Sequence, residues 1–481
     1  MSAKNIKSPS IGTALIPIVI SLAIFIVGIG ILEYPAELML LFGGIVFTIF
    51  AVLHGHNWER IIETMGSKIK KALPAILILF SIGLLIGTWM IAGTIPLFVY
   101  YGLEMINPNY LYLIAFLVTA IVSTCVGTSW GAAGTIGVAI MSIAQTMDLS
   151  LAITAGAVVS GAYFGDKLSP LSDTTNMSSI AAGSNLYEHI RHMLYSAIPS
   201  SILAIIVFTV VGFGIETDST QLASIQEMTA GLDQLFNLNV VLLLPAVVVI
   251  GGSLMKKPPL IVLFTSSVIA MIIGLVFQGS SFANIFASAV SGFNVEMLGT
   301  EANVISEDLQ SLLNRGGLYS MYNATFFVFV AFFFASALEV SQALNTILES
   351  IMAHMKTIGS ITLSALVTGF AVINCTSNAL VSYFLIQDIY GKVYKKKNLH
   401  PVNLSRNMED SITITEALMP WTVSGVFMAT TLGVDNFEFL PWAIFNLGGF
   451  VFSALYGFLA PITGGFGIRK LDDDHVDDTE T

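Results

Sequence analysis

Long uncharged stretches, separated by short polar segments, run along most of the chain. Each is longer than the ~20 apolar residues that one membrane-spanning helix needs. The roughly ten-residue alternation of a membrane β-barrel is absent, and backbone facing lipid must satisfy its own hydrogen bonds. The pattern predicts an all-α polytopic membrane protein with about 11–12 transmembrane helices. Such stretches include 11–32, 72–103, 105–147, 193–215, 258–295, 357–387 and 439–468.

Composition supports a lipid environment. Of the 481 residues, 55% are apolar and 10% are charged, whereas about a quarter of the residues in a soluble domain are charged. So few charges exclude a soluble globule of this size and make the lipid bilayer the expected partner. The net charge of −12 is not evidence for an acidic binding surface, because six of the acidic residues lie in the last ten residues of the chain.

Lysine and arginine predict the orientation, since both favour the cytoplasmic side of a membrane. Lys4 and Lys7 at one end, with Arg469 and Lys470 at the other, predict a multi-pass protein of the cell membrane with both termini in the cytoplasm. The predicted organisation is a cytoplasmic N-terminus over 1–10, a first transmembrane half over 11–230, a second half over 231–468, and an acidic, disordered cytoplasmic tail over 469–481.

The two halves can be overlaid without gaps at an offset of 250 residues. Loop charges differ between the copies: the neutral stretch 145–147 corresponds to the basic stretch 395–397. Corresponding loops are therefore expected on opposite sides of the membrane, which predicts an inverted repeat with broken or re-entrant helices, as in many secondary transporters. The pairs that indicate the offset are Cys125 with Cys375, Asp166 with Glu416, and Pro170 with Pro420.

Polar segments interrupt the apolar stretches at membrane depth, where ionisable groups are functional candidates because they are expensive to bury. The segment 123–131 is rich in glycine and hydroxyls, and its repeat partner 374–378 is equally polar. Close helix packing by small residues is the alternative for either segment alone. The segment 161–176 should break at Pro170, because proline removes a backbone donor and disfavours helix before it. Its counterpart 407–424 contains two further acids.

Oxygen-rich side chains at these breaks suit a hard cation. We expect competitive exchange, in which Na⁺ and a proton alternately neutralise partly dry carboxylates. Lys167 can neutralise Asp166, and Glu409 is interpreted as a solvated loop charge. The expected Na⁺ ligands are Thr128, Ser129, Asp173 and Asn378. The full set of expected ion- or substrate-binding residues is Asp166, Asp173, Thr174, Thr175, Asn176, Thr128, Ser129, Ser377, Asn378, Asp410, Thr413, Glu416 and Thr422.

Other functional classes lack their motifs. The chain has no phosphate-binding GxxxxGK[ST] motif, and neither CxxC nor HExxH is present. We therefore do not expect an ATP-driven pump, a zinc site, an enzymatic activity or a cofactor. The sequence also has no basic patch that would predict nucleic-acid binding. Na⁺ and protons are the expected transported ions, a small organic anion is an open alternative, and a homodimer is compatible with the sequence.

The polar segments resemble the NhaC-type Na⁺/H⁺ antiporter family, which includes malate–lactate antiporter-like members. The resemblance extends over roughly 60–460 and implies Na⁺ binding near broken helices, with proton exchange. A Na⁺-coupled carrier of lactate, malate or an amino acid stays open, as does a channel or receptor. The resembling strings are GTSWGAAGTIGVA at 127–139, GAYFGDKLSPLSDTTN at 161–176, NRGGLYSM at 314–321 and LSRNMEDSITITEALMPWTVSGVFM at 404–428.

Overall fold

A computed structural model describes residues 9–28, 31–32, 34–215, 219–255, 257–299, 306–352 and 356–471. Helices make up the regular structure of these residues, apart from one isolated bridge between Leu399 and Lys470. Lys4, Lys7 and the predicted acidic tail beyond 471 lie outside the described residues.

The first half contains α1 (Ile11–Gly28), α2 (Ala36–Leu53), α3 (Trp58–Ile91), α4 (Thr94–Met105), α5 (Leu111–Val126), α6 (Ser129–Ala132), α7 (Val138–Thr146), α8 (Leu151–Leu168), α9 (Asp173–Ala182), α10 (Leu186–Phe213) and α11 (Ser219–Leu235). The second half contains α12 (Leu244–Leu254), α13 (Pro259–Val276), α14 (Phe282–Ser291), α15 (Glu307–Leu313), α16 (Tyr322–Ser341), α17 (Ala343–Met352), α18 (Ile358–Thr376), α19 (Ala379–Lys396), α20 (Pro401–Met408), α21 (Ile414–Glu416), α22 (Val423–Leu432), α23 (Asn436–Phe439) and α24 (Ile444–Leu459). Two π-helical segments, π1 (Ala133–Gly137) and π2 (Glu409–Thr413), join α6 to α7 and α20 to α21.

Within the described residues, six helices are long and apolar enough to cross a membrane, or up to nine when each sharply bent helix pair is taken as one span. The three bent pairs turn by 70°, 98° and 60°. Three shorter apolar helices, Glu37–Leu53, Phe282–Ser291 and Val423–Leu432, add to these candidates. Large apolar side chains such as Ile26, Val210 and Val276 stand exposed on the outside of the bundle, as expected of a lipid-facing surface. The protein is thus a multi-pass helical membrane protein with broken helices.

The offset of 250 residues recurs in the backbone itself. At each repeat-related break the chain enters the left-handed region and then starts a new helix. The predicted repeat is confirmed at this level, while the opposite membrane orientation of the two copies stays a prediction. The matched left-handed residues are Gly127 (φ 75°) with Ser377 (φ 48°), Asp148 (φ 51°) with Asn398 (φ 58°), and Gly183 (φ 75°) with Gly433 (φ 71°).

Close packing of α8 on α5 positions the first acidic residue. A Cβ added to Gly165 would lie 2.5 Å from the Ala120 carbonyl oxygen, and one added to Gly161 would lie 2.2 Å from that of Phe116. Small residues at such an interface allow two membrane helices to approach closely. This contact brings Asp166, in the last turn of α8, beside the break that follows α5.

Candidate functional site

A cavity of about 630 Å³, here named the first cavity, lies where the broken helices of the first repeat face the second. The break after α5 contributes to its wall, as does the Pro170 turn between α8 and α9. The structure thus brings together most of the residues predicted from the sequence. Those that line the first cavity are Thr128, Ser129, Asp166, Asp173, Thr174, Asn176, Thr413 and Glu416.

Asp166 is the best-defined group of the first cavity. Its side chain is 5% exposed. The hydroxyl of Ser129 donates to Oδ2 over 2.9 Å, and that of Ser172 donates to Oδ1 over 2.6 Å. An ionised carboxylate can accept about four hydrogen bonds, so Asp166 keeps acceptor capacity. No basic side chain of the described residues forms an ion pair with it.

The Pro170 turn breaks the chain as predicted: α8 ends at Leu168 and α9 begins at Asp173. Ser172 caps α9, because its hydroxyl accepts a hydrogen bond from the Thr175 backbone N–H. The same hydroxyl donates to Asp166. Asp173 follows in the first turn of α9 and is exposed rather than partly dry as expected.

Three predicted ligands stabilise the backbone instead of presenting free oxygens. The Thr175 hydroxyl donates to the carbonyls of Asp166 and Lys167, both over 3.1 Å. The Asn176 amide donates to the Pro170 carbonyl over 2.9 Å. The hydroxyl of Thr422 caps α22 and donates to the Glu416 carbonyl over 2.5 Å. Thr175 and Thr422 do not line the first cavity.

The second repeat supplies Glu416 to the wall opposite Asp166. Its side chain is 8% exposed and lies beside Ser424. Trp130 donates to Ser424 over 3.2 Å and stacks on Phe427 with ring centroids 4.3 Å apart. The residue after the α5 break is thereby attached to α22, which connects the two repeats at the cavity.

Lys167 does not neutralise Asp166; it forms an ion pair with Asp410 instead. Both side chains are fully buried. The Lys167 ammonium also donates to Ser196 over 3.0 Å, and Ser453 donates to the other carboxylate oxygen of Asp410 over 2.5 Å. Asp410 does not line the first cavity, and its charge is already matched by Lys167.

Asn378 and Ser377 are separated from the other expected Na⁺ ligands. They line a second cavity of about 600 Å³ at the repeat-related break between α18 and α19. The Asn378 side chain caps α19 by accepting from Val381 over 3.0 Å. Lys68 crosses the second cavity, with its ammonium 2.7 Å from a Glu339 oxygen and 2.6 Å from the Cys375 carbonyl. The four expected Na⁺ ligands thus do not surround one position, since the helix breaks that carry them line different cavities.

Glu409 is the acid that the sequence interpretation missed. It is fully buried in π2 rather than solvated. The sequence did contain a signal for this burial: Met408 and Ile412, on either side of Glu409, are apolar, and a helix with such residues packs at least one face against the protein interior.

Within the described residues, no three His, Cys, Asp or Glu side chains come together as a metal-chelating group. A cation at Asp166 would therefore draw the rest of its shell from hydroxyl and carbonyl oxygens, which cluster at the two breaks. Unwound carbonyls at broken helices coordinate Na⁺ in other transporters.

Comparisons with known proteins agree with this architecture. The family model for the Na⁺/H⁺ antiporter family matches residues 161–460. An uncharacterized Na⁺/H⁺ antiporter of Haemophilus influenzae is 42% identical over 97% of this chain and 98% of its own. The malate-2H⁺/Na⁺-lactate antiporter of Bacillus subtilis is 33% identical, over 95% and 96%. The Na⁺/H⁺ antiporter NhaC of Alkalihalophilus pseudofirmus is 32% identical, over 96% and 98%. On this evidence of sequence and fold, the chain belongs to the NhaC-type Na⁺/H⁺ antiporter family.

Proposed function

We propose that this protein exchanges Na⁺ for protons across the cell membrane by competition at Asp166, with both termini in the cytoplasm. The observation that carries the proposal is a carboxylate that is nearly buried, has no basic partner among the described residues, and borders a cavity at two helix breaks. The names of the relatives support the same pair of ions.

The competition follows from burial. A carboxylate held away from water is unstable as an isolated charge, so a proton or a cation must neutralise it. Na⁺ and a proton neutralise the same single charge, so only one of them is held at the oxygens of Asp166 at a time, beside the hydroxyls of Ser129 and Ser172. Na⁺ binding therefore expels the proton, and protonation expels Na⁺.

Glu416 and Asp173 have supporting roles. Both line the first cavity with Asp166, and their carboxyl groups, when ionised, attract a cation toward it. Asp173 is exposed, so it suits the entrance, whereas Glu416 is buried and belongs to the other repeat. A movement of one repeat against the other would change the distance between Asp166 and Glu416 and expose the site alternately.

The experiment is Na⁺-driven proton movement in acid-loaded everted vesicles, followed with a pH-sensitive dye. We expect Asp166→Asn to abolish the response, because asparagine neither ionises nor exchanges a proton. Asp388→Asn is the matched control, since Asp388 is exposed on α19 and lines neither cavity. Wild-type proton movement in Asp166→Asn would refute the proposal.

A second candidate is the Na⁺-coupled exchange of a small organic acid or amino acid. Two observations favour it: a cavity of about 630 Å³ is far larger than one ion needs, and Lys257 in its wall is a positive partner for a carboxylate. One relative is named a malate and lactate antiporter. Uptake of labelled malate and lactate into proteoliposomes, with and without a Na⁺ gradient, separates the candidates.

A further inference from the structure

The carboxyl group of Glu409 is isolated inside the bundle. Its side chain is 0% exposed and lines neither the first nor the second cavity. Neither carboxyl oxygen has a hydrogen-bond partner among the described residues. An ionised carboxylate without partners is among the most unfavourable groups that a protein interior can hold.

The hydroxyls beside this carboxyl are engaged elsewhere. Ser178 and Thr413 flank it. The Ser178 hydroxyl donates to the Thr175 carbonyl over 3.1 Å and lies 3.1 Å from His189 Nε2. The Thr413 hydroxyl lies 2.6 Å from that of Tyr383. These hydroxyls can exchange protons with Glu409, but they do not balance a charge on it.

The charges around Glu409 oppose one another rather than neutralise it. Asp166 is like-charged, and the ammonium of Lys167 is bound to Asp410. The titratable groups of the elements packed against π2 are Tyr163, Asp166 and Lys167 of α8, Asp173 of α9, Tyr383, Asp388, Tyr390 and Tyr394 of α19, the lysines of α19, Cys375 of α18, Arg406 of α20, Glu416 of α21 and Tyr456 of α24, with His189 of α10 behind Ser178.

We propose that Glu409 is a proton-binding site of the transport cycle, separate from the cation site at Asp166. The inference rests on the exchange of Na⁺ for protons proposed above. In the conformation described here Glu409 carries a proton, since nothing else neutralises it. It releases that proton when a rearrangement of π2 brings it to water or to a cation. A π-helical segment suits such a role, because its loosened hydrogen bonding allows a local shift.

Hydrogen-bonding groups lead from Glu409 in two directions. Toward the first cavity the neighbour is Thr413, which lines that cavity. In the other direction Ser178 contacts His189, whose Nδ1 lies 2.7 Å from the Ser405 hydroxyl. A neutral imidazole that holds a hydroxyl at each nitrogen can pass a proton between them.

The second route continues to the far end of α9. The Ser184 hydroxyl donates to that of Ser405 over 3.3 Å. Ser184 is half-buried, between the exposed residues Gly183 and Asn185. The start of α9 borders the first cavity and its other end adjoins Ser184, ten helical residues away. This places Glu409 between the cavity and a different surface, as a proton site with its own access requires.

The test measures Na⁺ binding and proton movement separately on purified protein. ²²Na⁺ binding is followed by scintillation proximity, and Na⁺-driven proton movement is followed in proteoliposomes. We expect Glu409→Gln to move fewer protons per Na⁺ than the wild type, with a changed pH profile, but to keep ²²Na⁺ binding, because Asp166 is untouched and still exchanges its own proton for Na⁺. Glu438→Gln, which removes an exposed glutamate, should keep both. Ser178→Ala interrupts the route at its first step and should slow proton movement without changing ²²Na⁺ binding.

The outcomes are distinct. If Glu409→Gln exchanges at the wild-type rate with the wild-type pH profile, Glu409 is not a proton site. If it elutes as a folded protein but loses ²²Na⁺ binding, Glu409 belongs to the cation site, and the separation is wrong. If Glu409→Gln does not fold, the result with Ser178→Ala decides, and unchanged proton movement overturns the route. If the wild type itself moves no protons with Na⁺, the proposed function fails instead.

Discussion

Disrupting the ion pair between Lys167 and Asp410 should destabilise the protein more than disrupting any exposed pair. Both side chains are 0% exposed. After Asp410→Asn, the Lys167 ammonium loses its counter-charge and keeps only neutral partners: the amide oxygen, the Ser196 hydroxyl at 3.0 Å and the Phe445 ring at 5.9 Å. After Lys167→Met, the Asp410 carboxylate keeps only Ser453 at 2.5 Å. Leaving one buried charge unpaired costs about 3–5 kcal/mol, so either variant should lose about that much unfolding free energy.

The double variant Lys167→Met/Asp410→Leu removes both the attraction within the ion pair and the cost of burying its two charges. Replacing a buried pair by apolar residues is often neutral or stabilising, so the double variant should recover most of the loss. Glu188→Gln is the control, because Glu188 and Arg469 lie 3.3 Å apart with side chains 46% and 30% exposed; its effect should stay within about 0–1 kcal/mol. The assay is thermal and denaturant unfolding of the purified protein in detergent micelles. Equal small losses for Lys167→Met and Glu188→Gln would refute the reasoning.

Three further predictions concern the helix breaks and a loop. Gly127→Ala should lower both the unfolding free energy and Na⁺-driven proton movement, because the added Cβ would lie 2.6 Å from the Leu171 Cβ and the residue has a φ of +75°. Gly183→Ala is the control: the φ is the same, but no atom lies within 4 Å of the added Cβ, so this variant measures only the roughly 1–2 kcal/mol of backbone strain. Lys68→Met should lower the unfolding free energy less than Lys167→Met in the same assay, because Glu339 is 50% exposed and water can replace the lysine. His56 lies in the loop before α3, where burial, as the largest cause, and the charges of Arg60 and His54 lower its pKa. The unfolded chain therefore binds that proton more readily, and the unfolding free energy should fall as the pH drops through about 6.5. Thermal unfolding of His56→Gln should show a shallower fall of the unfolding free energy over the same pH range.

The sequence was sufficient for the architecture because its signals are local or periodic. The paired Cys125 and Cys375 indicated the repeat, and the backbone repeats at the same offset. Pro170 indicated the helix break that places Ser172 beside Asp166, since proline removes a backbone donor and disfavours helix at the residue before it. The grouping of Asp166, Asp173 and Glu416 around one cavity followed from this repeat.

The partners of the buried charges were not predictable from the sequence in the same way. Lys167 is next to Asp166 in the chain, yet it pairs with Asp410, 243 residues away, because α8 packs against π2. The extra residue of a π-helical turn shifts the direction of the side chains that follow. Glu409 and Asp410 lie in such a turn, so the partners of each depend on how π2 packs against elements that are distant in the sequence. The separation of Asn378 from Thr128 likewise depends on how the two repeats pack, which a single sequence does not encode locally.

Competition between Na⁺ and a proton at Asp166 is tested most directly by isothermal titration of Na⁺ into the purified protein at several pH values and in buffers of different ionisation heat. We predict that Na⁺ affinity falls as the pH falls, that Na⁺ binding releases protons, and that both signals vanish in Asp166→Asn but persist in Asp388→Asn. Na⁺ binding of equal affinity at every pH, or undiminished in Asp166→Asn, would contradict the mechanism.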